Sequence, residues 1–381
     1  MVEQTPKEKS VAANPLQSIP YATLSGEAVL KALEEASVGL GISDIHFSPQ
    51  KTDVRLECRL HGVLRSVAFL TPAQYGDILR RIKFVAKLKL NITTVAQDGQ
   101  YVIPMNNRVV NIRAATLPSR FGEAVTLRFL DPDRGILPLE KLGFPEDIIK
   151  SLRELVELPN GLVLVTGPTG SGKTTTLYAL LSTIVGKERN IITLEDPVEY
   201  ELPGIIQSQI DPEHNFTFAN GLRSVLRHDP DVILVGEIRD VETAQTAINA
   251  ALTGHLVLST LHTNSAVEAI PRLLSMGVSP YTFAPAIRAV LAQRLVRTLK
   301  PNCRGAAKCD PASHDSYGGQ MCVPELLHVT PALQTLILDM AQGPKILEQA
   351  KKDGFKTMKE WGEDFIKKGL TTKGEVERVT A

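Results

Sequence analysis

Residues 161–181 read GLVLVTGPTGSGKTTTLYALL and contain the pattern G-x-x-x-x-G-K-[ST]. The apolar run Leu162 to Val165 precedes this pattern, and the run Thr175 to Ile184, which has helical character, follows it. At such a strand-to-helix turn the backbone N–H groups converge on an anion, and glycines let the chain curl because they carry no Cβ. The pattern therefore predicts a loop that binds the phosphates of a nucleoside triphosphate. The loop comprises Gly167, Pro168, Thr169, Gly170, Ser171, Gly172, Lys173, Thr174 and Thr175.

Two side chains at the end of this loop have defined chemical uses. The Lys173 ammonium can reach the β- and γ-phosphates, and the Thr174 hydroxyl can ligate Mg²⁺. A glycine-rich turn could match the pattern by chance, but the strand before it and the helix after it argue against that alternative. We therefore expect a nucleotide and Mg²⁺ as cofactors.

The bulk composition is that of an ordinary globular protein. The chain has 381 residues, 43% of them hydrophobic and 22% charged, which suffices for two domains with their own cores. Its 42 basic residues balance 42 acidic ones, so the net charge does not indicate nucleic acid or an anionic membrane as a partner. No apolar run approaches the ~18 residues of a membrane span, and the N-terminal residues lack the apolar core of a secretory signal. We expect membrane contact only through partners.

Four segments divide the chain. Residues 1–22 are polar and aperiodic, which predicts a flexible tail. Residues 23–132 combine helical patterns with strands of period-2 character, which predicts an α+β domain. Residues 133–145 are rich in Pro and Gly and predict a linker. Residues 146–381 form the predicted nucleotide-binding domain with a helical C-terminal part.

Within the last segment, helical patterns alternate with apolar strands. Helices are predicted at 146–157, 173–185, 217–228 and 241–252. Nearly all-apolar strands between such helices predict an α/β fold, in which a parallel sheet is covered on both faces. Residues 275–381 are predicted to be mostly helical.

Two acidic segments follow the loop. In DPDVILVGEIRD (229–240), Glu237 comes just after a buried strand, where α/β sheets place ligand-handling groups and where an acid can hold the Mg²⁺ shell or orient water. In TLEDPVEYE (193–201), Glu195, Asp196 and Glu199 cluster at the end of another strand. A solvated acidic turn is the structural alternative for the second segment. Next to a phosphate loop, both segments predict metal or water handling.

Two histidines flank a third apolar strand in TGHLVLSTLHTN (253–264). His255 precedes the strand and His262 follows it. Such histidines either have a structural role or detect the γ-phosphate and transmit its presence to other parts of the protein. The spacing leaves both alternatives open.

Four segments, in this order, resemble the boxes of the secretion ATPases, which include type II secretion and type IV pilus assembly ATPases and their retraction relatives. They are GPTGSGKTTTLYALL, LEDPVEYELPGIIQSQI, RSVLRHDPDVILVGEIRD and TGHLVLSTLHTNSAVEAIPRLL, followed by LAQRLVRTL. N-terminal stretches such as SDIHFSP and QDGQY are also similar to that family. The resemblance covers roughly residues 40–300 and is specific, because separate boxes agree in sequence and in spacing.

The resemblance implies a RecA-like P-loop ATPase core with a PAS-like α+β domain, assembled as a homohexamer. It implies that Glu199 is the general base, that Glu237 acts through Mg²⁺ and its water shell, and that Arg113 and Arg128 reach the γ-phosphate of ATP. Arg294 and Arg297 are further candidate sensors. The implied function is that of a Mg²⁺-dependent ATPase motor at the cytoplasmic face of the inner membrane. It would drive pilus assembly or type II-like secretion through an inner-membrane platform protein.

The sequence departs from the family at its cysteines. Many assembly-type members carry paired CxxC motifs that bind zinc, whereas this chain has Cys303, Cys309 and Cys322 with C-x₅-C and C-x₁₂-C spacings. Tetrahedral zinc sites prefer short-spaced pairs, so we expect no zinc site here. With Cys58, the cysteines are too few and irregular for a disulfide framework, which indicates a reducing cytoplasm.

Three alternative functions stay open. The first is a retraction or conjugation-type motor of the same class. The second is a RecA-like nucleic-acid translocase, although balanced charge and the lack of a basic stretch with interleaved aromatics predict no nucleic-acid partner. The third is a regulatory nucleotide-binding protein that does not hydrolyse its ligand.

Overall fold

The computed structural model describes residues 16, 18–105, 108–304, 309–310, 313 and 316–380. The chain divides into two compact units, Met1–Gly135 and Ile136–Ala381. Residues 1–15 and 17 of the predicted tail lie outside the described residues, whereas Leu16 is buried in the core of the first unit.

The first unit is built on a six-stranded antiparallel sheet of order β3-β2-β1-β6-β5-β4. Apolar side chains of alternate strand positions and of two long helices form its core. Its elements are α1 (Gly26–Leu40), β1 (Ile42–Pro49), β2 (Val54–Leu60), β3 (Val63–Leu70), α2 (Pro72–Val85), β4 (Gln97–Met105), β5 (Arg108–Ser119), β6 (Gly122–Leu130) and the short α3 (Pro132–Gly135).

Local sequence signals explain two features of this unit. Helix α2 begins after Thr71, whose hydroxyl accepts a hydrogen bond from the Gln74 N–H while the Gln74 side chain accepts one from the Thr71 N–H. This capping box, with Pro72 at the first helical position, satisfies N–H groups that the helix leaves unpaired. His61 and Gly62 both have positive φ, as the tight turn between β2 and β3 requires.

The second unit is an α/β structure, as the sequence predicts, with a seven-stranded sheet of order β13-β12-β7-β11-β10-β8-β9. All neighbouring strands are parallel except β12 and β13. The central strands β7, β10 and β11 are buried at every residue, because helices cover the sheet on both faces.

The second unit contains helices and strands on both sides of the phosphate loop in the sequence. They are α4 (Glu146–Glu157), β7 (Gly161–Thr166), α5 (Lys173–Ser182), β8 (Ile191–Glu195), β9 (Ile206–Gln209), α6 (Phe218–Val225), β10 (Val232–Val235), α7 (Val241–Leu252), β11 (Leu256–Leu261), α8 (Ala269–Ser275), α9 (Pro280–Ala286), β12 (Ile287–Leu299), β13 (Tyr317–His328), α10 (Pro331–Leu338), α11 (Gly343–Lys352), α12 (Met358–Lys367) and α13 (Lys373–Thr380).

The prediction that residues 275–381 are mostly helical is wrong for two long strands, β12 and β13. Strand β12 pairs with β7 on one side and with β13 on the other, and residues 289–293 are buried without interruption. Burial on both faces removes the alternation of apolar and polar residues that identifies a strand. In VLAQRLVRTL, pairs of apolar residues separated by polar ones therefore imitate a helical period.

No helix in the described part of the chain combines the length and the apolar character that crossing a bilayer requires.

The first unit contains a buried ion pair that links α2 to β6. The Lys83 Nζ lies 2.6 Å from Glu123 Oε1 and donates a hydrogen bond to the Ile92 carbonyl at 2.7 Å. The two charged side chains are only 2% and 4% exposed. Each charge therefore depends on the other, since either one alone would be buried without compensation.

Replacing Lys83 alone should destabilise the protein strongly. We expect Lys83→Met to lower the free energy of unfolding by about 3–5 kcal/mol, because the Glu123 carboxylate then stays buried without a counter-charge. The double variant Lys83→Met/Glu123→Gln should recover part of the loss. As a control, Lys31→Met breaks an exposed pair with Glu35 and should cost less than about 1 kcal/mol. Urea unfolding of the four proteins tests this, and equal losses for Lys31→Met and Lys83→Met would contradict it.

Candidate active site

The phosphate-loop residues connect the buried strand β7 to helix α5. Gly167, Gly170 and Gly172 have φ values of +146°, +77° and +86°, which residues with a side chain rarely adopt. A Cβ on Gly167 would lie 2.5 Å from the Ser171 Oγ. The chain therefore needs glycine here both for its conformation and for the close approach of the loop to itself.

The loop fits a polyphosphate. The first N–H groups of α5 have no partner inside the helix and carry the positive end of its dipole. The Ser171 Oγ is buried and has no hydrogen-bond partner among the described residues. Pro168, Thr169 and Gly170 are exposed at the tip of the loop. Backbone donors, a helix N-terminus and an orphaned hydroxyl together suit an anionic ligand with several acceptor oxygens.

Lys173 is directed back over the loop. Its Nζ donates hydrogen bonds to the carbonyls of Gly167 at 2.9 Å and Pro168 at 3.1 Å. Burial lowers the pKa of Lys173, and the nearby Glu237 carboxylate opposes this change. The ammonium therefore lies at the centre of the loop, where it can contact a bound phosphate.

A cavity of about 150 Å³ adjoins the first turn of α5. Predicted site residues from four separate segments of the sequence line this cavity. Its polar lining consists of Lys173, Thr174, Glu195, Asp196, Glu199, Glu237, Thr260 and His262. A neighbouring cavity of about 440 Å³ is bordered by Gly167, Pro168 and His262.

Glu237 follows β10 and is largely buried, with 14% of its side chain exposed. One carboxylate oxygen pairs with the Arg239 guanidinium, and the other lies 3.5 Å from the His262 Nε2. The hydrogen bond to Glu237 raises the pKa of Arg239. Thr174, an exposed residue whose side chain carries a hydroxyl, lines the same cavity. One hydroxyl, one carboxylate and room for water suit Mg²⁺, which keeps several waters and takes phosphate oxygens.

The structure separates the acidic residues of 193–201 by environment. Glu195 is 4% exposed and accepts hydrogen bonds from the Tyr178 hydroxyl, the Thr193 hydroxyl at 2.6 Å and the Gln207 amide at 3.1 Å. These donors hold the Glu195 carboxylate in the wall of the cavity. Glu199 is half-buried and follows the cis Asp196–Pro197 bond along the same lining.

The two histidines do not share a site. His262 follows β11 at the carboxyl edge of the sheet, beside Glu237. His255 precedes β11, and its carbonyl accepts a hydrogen bond from the Gly161 N–H at the beginning of β7. The two residues therefore lie at opposite ends of a six-residue strand, about 20 Å apart. His262 lines the cavity, whereas the ring of His255 contacts the Ala250 carbonyl at 3.0 Å.

The two predicted N-terminal arginines lie side by side in the first unit. Arg113 on β5 is the register partner of Arg128 on β6. Arg128 Nε donates a hydrogen bond to Asp44 Oδ1 at 2.8 Å. The antiparallel pairing thus presents both guanidinium groups on one face of the sheet. Their proposed contact with a γ-phosphate stays a prediction.

Sequence analysis missed Gln293, a fully buried amide on β12. Its Nε2 donates a hydrogen bond to the Ser171 carbonyl at 2.7 Å, and its Oε1 accepts one from the Thr176 hydroxyl at 2.9 Å. Gln293 lies inside LAQRLVRTL, where the only signal was a polar residue in an apolar run. The nearby Arg297 pairs with the buried Glu375, so it has a structural contact of its own.

The sequence predicts no disulfide framework, and the structure contains one disulfide among the described residues. Cys303 and Cys309 are bonded to each other, with Cα atoms 5.4 Å apart. Cys322 is buried beneath Gln293, and burial raises its pKa to about 12. Among the described residues, no group of three or more His, Cys, Asp or Glu side chains is placed to hold a metal ion by itself.

The chain matches known proteins over almost its whole length. Residues 24–378 match the family described as type II/IV secretion system protein. The type II secretion system protein HxcR of Pseudomonas aeruginosa is 44% identical over 89% of this chain and 74% of its own length. The type II secretion system ATPase E of Vibrio cholerae is 41% identical over 92% of this chain and 75% of its own. The ADP-bound crystal structure of the pilus retraction motor PilT is 29% identical, with a TM-score of 0.66, and covers 93% of this chain and 97% of that one.

The chain therefore belongs to the type II/IV secretion system protein family. Its second unit is a RecA-like core, and the protein is a P-loop ATPase of the secretion class.

The different environments of Glu195 and Asp196 predict different effects of the same change. Glu195→Gln should lower the free energy of unfolding by about 1–3 kcal/mol, because an amide N–H₂ would face buried donors. Asp196→Asn, at a side chain that is 38% exposed, should change it by less than about 0.5 kcal/mol. Urea unfolding without nucleotide measures both. Equal effects of the two variants would show that the donors around Glu195 do not stabilise the fold.

Proposed function

We propose that this protein is a Mg²⁺-dependent ATPase motor that works as a homohexamer and drives type II-like secretion or type IV pilus assembly. The observation that carries the proposal is the cavity beside the phosphate loop, where Lys173, Thr174, Glu199, Glu237 and His262 come together. The similarity to type II secretion proteins from two organisms supports the assembly and secretion branch over the retraction branch.

Each residue of the cavity has a separate task in this proposal. The loop N–H groups and Lys173 bind the phosphates of ATP. Thr174 ligates the Mg²⁺ and Glu237 holds its water shell, and when bound the ion neutralises charge on the β- and γ-phosphates. Glu199 accepts the proton of the water that attacks the γ-phosphorus. His262, 3.5 Å from Glu237, senses whether the γ-phosphate is present.

Arg113 and Arg128 complete the site in this proposal. Two fixed positive charges at the γ-phosphate stabilise the charge that spreads over its oxygens in the transition state. Hydrolysis removes the γ-phosphate and with it the proposed partner of both charges. The conformational change that follows is the proposed source of mechanical work.

The proposed motor acts at the cytoplasmic face of the inner membrane, where a platform protein receives the work. Type II secretion proteins among the relatives support this location. No nucleic acid takes part in the proposed function.

Removing the proposed base should separate binding from turnover. We expect Glu199→Gln to bind ATP normally and to hydrolyse it at least about 100-fold more slowly, because no carboxylate accepts the proton of the attacking water. Lys173→Ala should instead lose nucleotide affinity as well as turnover. Phosphate release and equilibrium binding of a fluorescent ATP analogue measure the two properties. Unchanged hydrolysis by Glu199→Gln would assign the base to another residue.

Removing one of the two arginines should affect ATP turnover and ADP binding differently. We expect Arg113→Ala to lower turnover while leaving the dissociation constant of ADP within about twofold, because its proposed partner is the γ-phosphate. Arg120→Ala provides the control, since this arginine stacks over Phe121 at the turn between β5 and β6 and has no role in the proposal. Equal weakening of ADP and ATP binding by Arg113→Ala would contradict the assignment.

A further inference from the structure

Gln293 contacts the phosphate loop and the first turn of α5 at several points. Its amide bonds to the Ser171 carbonyl and to the Thr176 hydroxyl. A Cβ on Gly167 would lie 2.7 Å from the Gln293 carbonyl oxygen, and one on Gly172 would lie 3.2 Å from its Nε2. One residue of β12 therefore adjoins the beginning of the loop, its end and the first turn of α5.

The hydrogen bonds define which way the amide faces. The Thr176 hydroxyl donates to Oε1, so the Nε2 group faces the Ser171 carbonyl. A buried amide costs free energy unless both of its ends are paired, and here both ends are. A leucine or methionine would fill the same volume without that cost, so packing alone does not account for a glutamine here.

The geometry of one peptide bond connects Gln293 to the ligand side of the loop. The Ser171 carbonyl and the Gly172 N–H belong to the same planar trans peptide unit, and in such a unit they point in opposite directions. Because Gln293 holds the Ser171 carbonyl toward β12, the Gly172 N–H points away from β12. It therefore joins the free N–H groups at the beginning of α5.

The backbone conformation of Gly172 makes the orientation of the 171–172 peptide sensitive to loss of the hydrogen bond from Gln293. Its φ of +86° is reached by a glycine, and glycine is also the residue whose backbone rotates most freely. Without the fixed donor that Gln293 provides to the Ser171 carbonyl, the 171–172 peptide could rotate and turn its carbonyl toward the phosphates. An oxygen in place of an N–H at that point would repel the anion.

We propose that Gln293 is a positioning residue that orients the 171–172 peptide so that the Gly172 N–H donates to a nucleotide phosphate. The inference rests on the proposed function, since it assigns the loop to nucleotide binding. Gln293 itself does not touch the nucleotide. Its effect passes through one hydrogen bond to Ser171, and Thr176 keeps its amide in the required orientation.

Binding of ADP tests the inference without hydrolysis, measured with the full-length chain, Mg²⁺ and a fluorescent ADP analogue. Gln293→Leu should raise the dissociation constant of ADP roughly tenfold or more, because an oriented donor to a charged group is lost. Gln293→Glu should raise it further, because a carboxylate would face the Ser171 carbonyl. Thr176→Ser keeps the hydroxyl and should bind like the unmodified protein, whereas Thr176→Val should weaken ADP binding to an intermediate degree.

Val296→Ala is the matched control for a purely structural effect. This residue is buried on the same strand, and shortening it should lower the thermal midpoint of the nucleotide-free protein while leaving ADP affinity unchanged. Equal losses of affinity for Val296→Ala and Gln293→Leu would overturn the inference, as would a Gln293→Leu variant that binds ADP within twofold of the unmodified protein. If Gln293→Leu does not fold, Thr176→Val carries the test, and unchanged affinity in that variant overturns the inference. An unmodified protein that binds no ADP would refute the proposed function itself.

Discussion

The turn from β7 into α5 is the constraint on which the second unit depends. Between the last residue of the buried strand β7 and the first residue of α5, the chain makes a tight turn over residues 167–172. Three glycines with positive φ make this turn possible. The neighbouring strands β11 and β12 pair with β7 up to its last residue, Thr166. Pairing on both sides fixes the end of β7, so the loop begins from a defined position in the sheet, and His262, which follows β11, is held near it.

The site is assembled at one edge of a parallel sheet. Strands β7, β8, β10 and β11 all run in the same direction, so their carboxyl ends, and the residues that follow them, meet at one edge. Lys173, Glu199, Glu237 and His262 are far apart in sequence and share a cavity for this reason. The same geometry separates His255 from the cavity, because it precedes β11 instead of following it. Buried hydrogen bonds, such as those to Glu195 and from Gln293, then hold the walls of the site in place.

Sequence reasoning succeeded where a signal is local. The helices predicted at 146–157 and 241–252 have those bounds in the structure, because capping residues, proline and helical periodicity all act within a few positions. The glycine-rich turn between β7 and α5 lies where the motif predicts it, and Glu237 and His262, whose roles stay predictions, line the cavity beside it. The strands β12 and β13 were missed, because a strand covered on both faces loses the alternation that reveals it.

By itself, the sequence determined the phosphate loop, the α/β class of the second unit and the family resemblance that the comparisons confirm. Each of these depends on neighbouring residues or on motifs in a fixed order. Only the tertiary structure decided that Glu195 is a buried hydrogen-bond acceptor, that His255 lies away from His262, and that Gln293 reaches the loop from a strand more than 100 residues later. These facts depend on strand order and direction, which bring distant residues together through pairings that no local pattern encodes.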